Sequence, residues 1–287
     1  MIRKINGRHN RTVKLARKLQ KKKHRKERGL FVAEGMDLLD AAEDASRHPV
    51  DILVREDLAD RLPSTLSGSA AEDAVDIGLC TEELLRHASG MGGAVDVVSI
   101  MENPEWSLGD IEFSGIVVYM YCVGDPGNVG TLVRAAAAFG AEGVICSPKT
   151  ADAFSPKAIR AGMGAQFSVK IAEEVTPEDL EAKLRADQQR GEPSPRVVLA
   201  DPRAEQTVGD VASNDGAVLV LGSERGAYPE MTLPYERAAV PQRGLDSLNV
   251  AIAGSIMLYE LTGARLGKGS QGLLGWNPAF GRRSHPR

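Results

Sequence analysis

The sequence predicts an α/β protein in two parts, a smaller N-terminal α/β unit followed by a larger one built on a parallel sheet. Three observations carry this. Strand-like and helix-like segments alternate along almost the whole chain. Several strand candidates in the second part are short, unbroken apolar runs, as expected where a parallel sheet is covered on both faces. The 287-residue length suits one large or two ordinary domains, and its 43% apolar content is enough for a core.

The elements follow in order. Val13, Ala16 and Leu19 fall three apart within a basic stretch and mark one apolar stripe on a helix. "LFVAEG" (30–35) reads as a strand, "MDLLDAAEDA" (36–45) as a helix and "VDILVRED" (50–57) as a strand. "EELLRHASG" (82–90) is a short helix closed by glycine, and "AVDVVSI" (94–100) a strand. Residues 1–105 thus form a basic arm with a small domain, 106–114 a linker of mixed polarity, and 115–287 the second domain. Its strands are "IVVYMYCV" (116–123), "GVIC" (143–146), "FSVKIA" (167–172), "RVVLAD" (196–201), "AVLVLG" (217–222) and "RAAVP" (237–241). Its helices include "NVGTLVRAAAAFG" (128–140), "TPEDLEAKLRADQQR" (176–190) and "SLNVAIAGSIMLYELTGARL" (247–266). That last helix is so small and apolar that burial is expected all round, and the tail from Gly267 is expected to fray.

Charge is distributed unevenly. Residues 1–30 carry 13 Lys/Arg and one acid, Glu27, for a net +12, while the remainder carries −16. A dense basic arm on an acidic body fits a polyanion, and nucleic acid is favoured over a merely solvated terminus. No apolar run reaches the length of a membrane span and no signal-peptide pattern opens the chain, so a cytoplasmic location is expected. Cys80, Cys122 and Cys146 have no paired spacing; Cys122 and Cys146 read as small buried hydrophobes. No metal site is expected.

Ligands of open parallel sheets bind beyond the carboxyl ends of the strands. Three such ends carry polar, glycine-rich sequence. In "GDPGNVGTLVR" (124–134) the spacing matches neither the dinucleotide fingerprint nor the P-loop. Asn128 is placed to cap the helix, and Arg134 stands alone among leucine, valine and alanines, suited to an oxyanion or phosphate. "LGSERGAYP" (221–229) places Glu224, not serine, at the centre of what would be a hydrolase elbow. In "VPQRGLDSLNVAIAG" (240–254) Ser247 is the natural cap, with Asn249 in the first turn. None of the five histidines lies between 115 and 266, which argues against a Ser-His-Asp hydrolase or a histidine metal site.

The trio "NVGTLVRAAAAFG", "LGSERG" and "VPQRGLDSLNVAIAGSIMLYE", in that order, resembles the three motifs of the SpoU/TrmH family of the SPOUT superfamily. The upstream "KLARKLQKKKHRKERGLFVAEG" is similar to the start of the substrate-binding domain many members carry. The resemblance implies an S-adenosylmethionine-dependent RNA ribose 2′-O-methyltransferase with a trefoil knot in its C-terminal domain and a homodimeric assembly. The two-domain form further resembles 23S rRNA methyltransferases of the avilamycin- and thiostrepton-resistance types. It implies catalytic roles for Asn128, Arg134, Glu224, Ser247 and Asn249. Cofactor contacts are implied at Leu199, Leu221, Gly222, Ser223, Glu224, Val240, Pro241, Gln242, Ser247, Leu248 and Asn249. Candidate RNA contacts are Arg11, Lys14, Lys18, Lys21, Lys22, Lys23, Arg25 and Arg160. The chain departs from the family pattern at Gly162, where serine is common, and in "VPQ", where Ile-Pro-Met is more usual. A non-catalytic rRNA-binding member, a tRNA 2′-O-methyltransferase and a base methyltransferase of a related knotted family remain as alternatives.

Overall fold

The computed structural model describes residues 2–66, 75–90, 93–212, 215–222, 228–243 and 247–266. In chain order the first part holds β1 (Ile2–Lys4), α1 (Arg11–Leu19), α2 (Lys22–Arg28), β2 (Leu30–Glu34), α3 (Met36–Asp44), β3 (Asp51–Arg55), β4 (Asp76–Cys80), α4 (Glu82–Ala88) and β5 (Val97–Glu102). Its five strands form one sheet in the order β1-β4-β3-β5-β2, with β1, β4 and β3 parallel and β5 antiparallel to both β3 and β2.

The second part holds β6 (Ile116–Met120), α5 (Pro126–Ala138), β7 (Gly143–Cys146), α6 (Pro156–Gly162), β8 (Ile171–Ala172), α7 (Pro177–Gln189), β9 (Arg196–Ala200), α8 (Val208–Val211), β10 (Ala217–Leu221), β11 (Glu236–Ala238) and α9 (Val250–Leu266). The six strands are all parallel, in the order β11-β9-β10-β6-β7-β8. Chain order reverses beside β6: β7 and β8 extend to one side, and β10, β9 and β11 to the other. That reversal opens the crevice at the carboxyl ends of the central strands.

Several sequence expectations are corrected. β1 and β4 carry no strand reading in the sequence. β1 is a three-residue edge strand whose side chains are all exposed, so it has no alternating pattern to show. The strand expected over 167–172 shrinks to Ile171–Ala172, because residues 165–167 form a 3₁₀ turn. Cys122 is only half-buried and sits in the left-handed region at φ 55°, whereas Cys146 is buried as expected. In the segment read as linker, Ile111 and Phe113 are buried against the parallel sheet. The tail from Gly267 lies outside the described residues.

The basic arm is folded, and it is part of the core. Asn10 caps α1 by accepting from the Thr12 and Val13 amides, and the helix buries Thr12, Val13, Ala16 and Leu19. α2 follows and ends on Gly29 in the left-handed conformation that suits glycine. Its Arg25 is the main correction to the RNA contacts. The guanidinium is buried, donating from Nε (3.0 Å) and Nη2 (2.5 Å) to Asp152 and from Nη1 to the Leu19 carbonyl (2.7 Å). Lys22 and Lys26 pair with Glu174 on the same face. Phe31 completes the junction, with ring centroids 5.3 Å from Phe154 and 6.0 Å from Phe167, so one apolar cluster spans both sheets. Beside it, burial and the neighbouring Asp152 charge raise the Glu173 carboxyl above its ordinary range.

Removing one partner of a buried ion pair strands the other charge. Arg25→Met should therefore lower stability by about 3–5 kcal/mol in urea unfolding. The exposed Lys23→Met should stay within about 0.5 kcal/mol of the parent, because exposed pairs contribute little.

Candidate active site

Two helix starts meet at the crevice. α5 begins with Asp125 as its cap: Oδ1 accepts from the Gly127 and Asn128 amides, and Pro126 occupies the first helical position. Asp125, not Asn128, therefore does the capping. Its other oxygen takes Lys157 Nζ at 2.6 Å, and this bond, with the two backbone amides, holds the carboxyl below its ordinary range. α9 begins with Asn249, whose Oδ1 accepts from the Ala251 and Ile252 amides. Asn249 thus takes the capping role expected of Ser247, which lies in the irregular approach to the helix.

Freed from capping, the Asn128 side chain meets Asn249, whose Nδ2 donates to Asn128 Oδ1 at 3.1 Å. The first and third sequence motifs are therefore joined across 121 residues, through a side chain of α5 and the cap of α9. Behind this contact α5 and α6 cross so closely that a Cβ on Gly130 would strike the Ala158 carbonyl oxygen. α9 presses down in the same way, with Gly254 against Leu132 of α5 and Leu221 of β10. Gly130 therefore serves helix packing; it does not open the loop to a ligand.

A cavity of about 750 Å³ lies at the carboxyl ends of β9, β10 and β11, roofed by the start of α9. It is within the size range of small-molecule sites. Of the residues expected to hold a cofactor, Leu221, Gly222, Val240, Gln242, Ser247, Leu248 and Asn249 line it. Pro241 is exposed beside it. Leu199 does not line it: strand alternation turns that side chain into the cluster on the opposite face of the sheet. Ser223 and Glu224 lie outside the described residues.

The sequence reading missed the wall formed by Ala200, Asp201, Pro202, Arg203 and Tyr228. The signal for it was present, since Ala200 ends β9 and Asp201 to Arg203 directly follow it. Asp201 is the acid among the described lining residues; it is buried, accepts from the Arg203 amide at 2.9 Å and pairs with Arg237 at 3.3 Å. Gln242 has a side-chain oxygen that is buried without a hydrogen-bond partner among the described residues. An orphaned acceptor in the wall of a cavity that is mostly apolar suits a flat ligand with donor groups, and so accommodates an adenosyl cofactor.

The SpoU rRNA methylase family model matches residues 115–259, and the MRM3-like substrate-binding domain model matches 10–94. The chain belongs to the SpoU rRNA methylase family. The 23S rRNA (guanosine(2553)-2′-O)-methyltransferase RlmP of Bacillus subtilis is 27% identical, matching over 91% of this chain and 100% of its own. A 23S rRNA (uridine(2479)-2′-O)-methyltransferase of Streptomyces viridochromogenes is 29% identical over 60% of this chain and 61% of its own. Among solved structures, the AdoMet-bound rRNA methyltransferase from Sinorhizobium meliloti superposes with TM-score 0.76 at 29% identity, covering 94% of this chain and 99% of that one. AviRb from Streptomyces viridochromogenes with AdoMet superposes with TM-score 0.75 at 22% identity, covering 90% and 99%, and shows the shared fold. S-adenosylmethionine is accordingly the cofactor of this SpoU chain.

The remaining site residues divide clearly. Arg134 is exposed on α5 and makes no hydrogen bond or ion pair among the described residues. Six helical positions place it about 9 Å along the axis and roughly 120° around from Asn128, so the two do not touch. Among the candidate RNA contacts, Arg11, Lys14, Lys18, Lys21 and Lys23 are exposed. Lys22 is tied to Glu174, and Arg25 is enclosed as described above. Arg160 is half-exposed, with Nη2 3.6 Å from Glu34. Glu34 is itself buried and accepts from Gln20, Ser89 and the Gly90 amide. Among the described residues no group of three or more His, Cys, Asp or Glu is placed to hold a metal, and no helix is long and apolar enough to cross a membrane.

Proposed function

We propose that this SpoU chain transfers the methyl group of S-adenosylmethionine to a ribose 2′-hydroxyl of 23S rRNA. The observation that carries the reading is the meeting of the cofactor-sized cavity with the Asn128–Asn249 contact at the start of α5. The cofactor, when bound, supplies an activated methyl on a sulfonium. The protein supplies position and charge. A ribose hydroxyl is a weak acid, so negative charge developing on its oxygen needs a cation, and the exposed Arg134, unpaired among the described residues, is available for it. Asn249 is held at its Oδ1 by helix amides, so its amide group is fixed before substrate arrives. It orients the hydroxyl together with Ser247, while Glu224 stands by the family motif as an acceptor. Holding the two reactants in line can remove roughly 7–11 kcal/mol of barrier without strong base chemistry. That matches a site without histidine.

The exposed lysines of α1 and α2 supply phosphate contacts, with Arg160 held by Glu34 as a further contact. With rRNA as the substrate, the location we propose is the cytoplasm. The assembly we propose is a homodimer. α9 is not buried all round as its sequence predicted: Ile252, Ile256 and Tyr259 are 54%, 37% and 60% exposed along one stripe. Tyr259 also meets Phe139 beyond the end of α5, with ring centroids at 5.8 Å, which extends that apolar face toward the helix carrying Arg134. A second copy covering this face brings another molecule's surface beside Arg134. The trefoil knot implied by the resemblance is retained as part of this proposal.

Arg134→Ala should slow methyl transfer at least ~100-fold while affinity for S-adenosylhomocysteine barely changes; near-normal single-turnover rates would remove Arg134 from the reaction. Replacing Lys14, Lys18, Lys21 and Lys23 together by Gln should lower the slope of log K against log salt for RNA binding by about 3. The whole arm cannot be deleted for this purpose, because α1 belongs to the core. Ile256→Arg should give a monomer at micromolar concentration in sedimentation velocity. A parent protein that is itself monomeric would contradict the dimer. Where the modified ribose lies in a ribosomal drug site, expression in a sensitive host should raise the inhibitory concentration, as the resemblance to the resistance enzymes implies.

A further inference from the structure

The cavity contains a polar atom that the protein leaves unsatisfied. Gln242 lines the wall between Val240 and the start of α9, half-buried, and its side-chain oxygen is sequestered with no partner among the described residues. A buried acceptor left alone costs free energy, and natural proteins seldom leave one without a role. The cavity's apolar lining includes Leu221, Val240, Leu248, Val250 and Met257. The same lining also carries groups with charge or fixed hydrogen bonds, Asp201 and Arg203 at the end of β9 and Asn249 against Asn128.

We infer that the Gln242 side-chain amide reads the adenine of the cofactor and sets the enzyme's preference for that base. The inference rests on the reading that the cavity is the cofactor site. A carboxamide presents a donor and an acceptor side by side in one plane, and adenine offers the matching pair, an exocyclic amine beside a ring nitrogen. Asn and Gln use this two-point match to select adenine in nucleic acids. The other parts of S-adenosylmethionine fit Gln242 less well. Its ammonium only donates, its carboxylate only accepts, and both need ionic partners or water, which a desolvated amide on an apolar wall cannot replace. The base is the flat, weakly hydrated portion that such a wall receives. The orphaned oxygen gains the adenine N6 amine as a donor, and the amide nitrogen donates in return to N7.

Hypoxanthine separates this role from simple packing, because it replaces the exocyclic amine with a carbonyl and so turns the donor into an acceptor. The experiment compares S-adenosylhomocysteine with S-inosylhomocysteine by isothermal titration, for the parent and for Gln242→Met, a substitution of similar volume. The parent should prefer the adenosyl compound. In Gln242→Met, affinity for S-adenosylhomocysteine should fall about 3- to 10-fold, and the preference over the inosyl compound should shrink about fivefold or more. An unchanged preference overturns the inference, whether affinity is retained or falls equally for both compounds. Two cavity-filling variants on different elements, Ala253→Phe and Ala239→Trp, test the underlying reading separately, with circular dichroism melts confirming that they fold. Folded variants that bind S-adenosylhomocysteine like the parent would place the cofactor elsewhere. Folded variants that lose binding, alongside an unaltered Gln242→Met, would leave the cavity reading standing and remove only the role of Gln242.

Discussion

The site depends on one side chain doing two jobs. Asn249 closes the first turn of α9 with its carbonyl oxygen and reaches Asn128 on α5 with its amide nitrogen. Each job fixes the orientation needed by the other: because the oxygen is committed to helix amides, the nitrogen must point outward. The cavity and the start of α5 therefore hold a set relation although no strand hydrogen bond joins them. Close backbone approach supports this from behind. Gly130 admits α6 to α5, and Gly254 admits α9 to α5 and β10, so the three helices cannot slide apart without opening gaps in the core.

The N-terminal part has a similar economy. Its positive charge serves two ends that the sequence alone cannot separate. Arg25, Lys22 and Lys26 face acids of the parallel-sheet part, whereas Lys14, Lys18, Lys21 and Lys23 face solvent. The inner set fixes the small sheet against the large one, and the shared Phe31–Phe154–Phe167 cluster makes that junction apolar as well as ionic. In the function proposed, RNA meets the outer set on a platform of defined orientation, where a loose tail would have to order on contact at an entropic cost.

Much of this was legible in the sequence, for identifiable reasons. Long apolar runs and clear helical periodicity located most strands and helices, and the three motifs follow β6, β10 and β11. What escaped depends on partners distant in the chain. Nothing in "KKKHRKER" marks Arg25 as the residue whose partner is 127 positions away. β1 has no buried side chain to give it a pattern. The caps were misjudged by a few positions at both helices, although Pro126 at a first helical position already pointed to Asp125. Leu199 was chosen where Ala200 and Asp201 line the cavity, since a strand end locates a site but only its alternation tells which residue faces it. The exposed stripe on α9 was hidden because a uniformly apolar helix reads as buried whether its cover is its own chain or another.

The chemical identity of the product tests the central claim most directly. Incubating the enzyme with 23S rRNA and methyl-labelled S-adenosylmethionine, then hydrolysing the RNA completely in alkali, distinguishes ribose from base methylation. A 2′-O-methyl group blocks cleavage at its own phosphodiester. The account predicts that the label appears in an alkali-stable dinucleotide. Label recovered only in mononucleotides would mean that a base is the acceptor, and would contradict the role assigned to Arg134, Asn128 and Asn249.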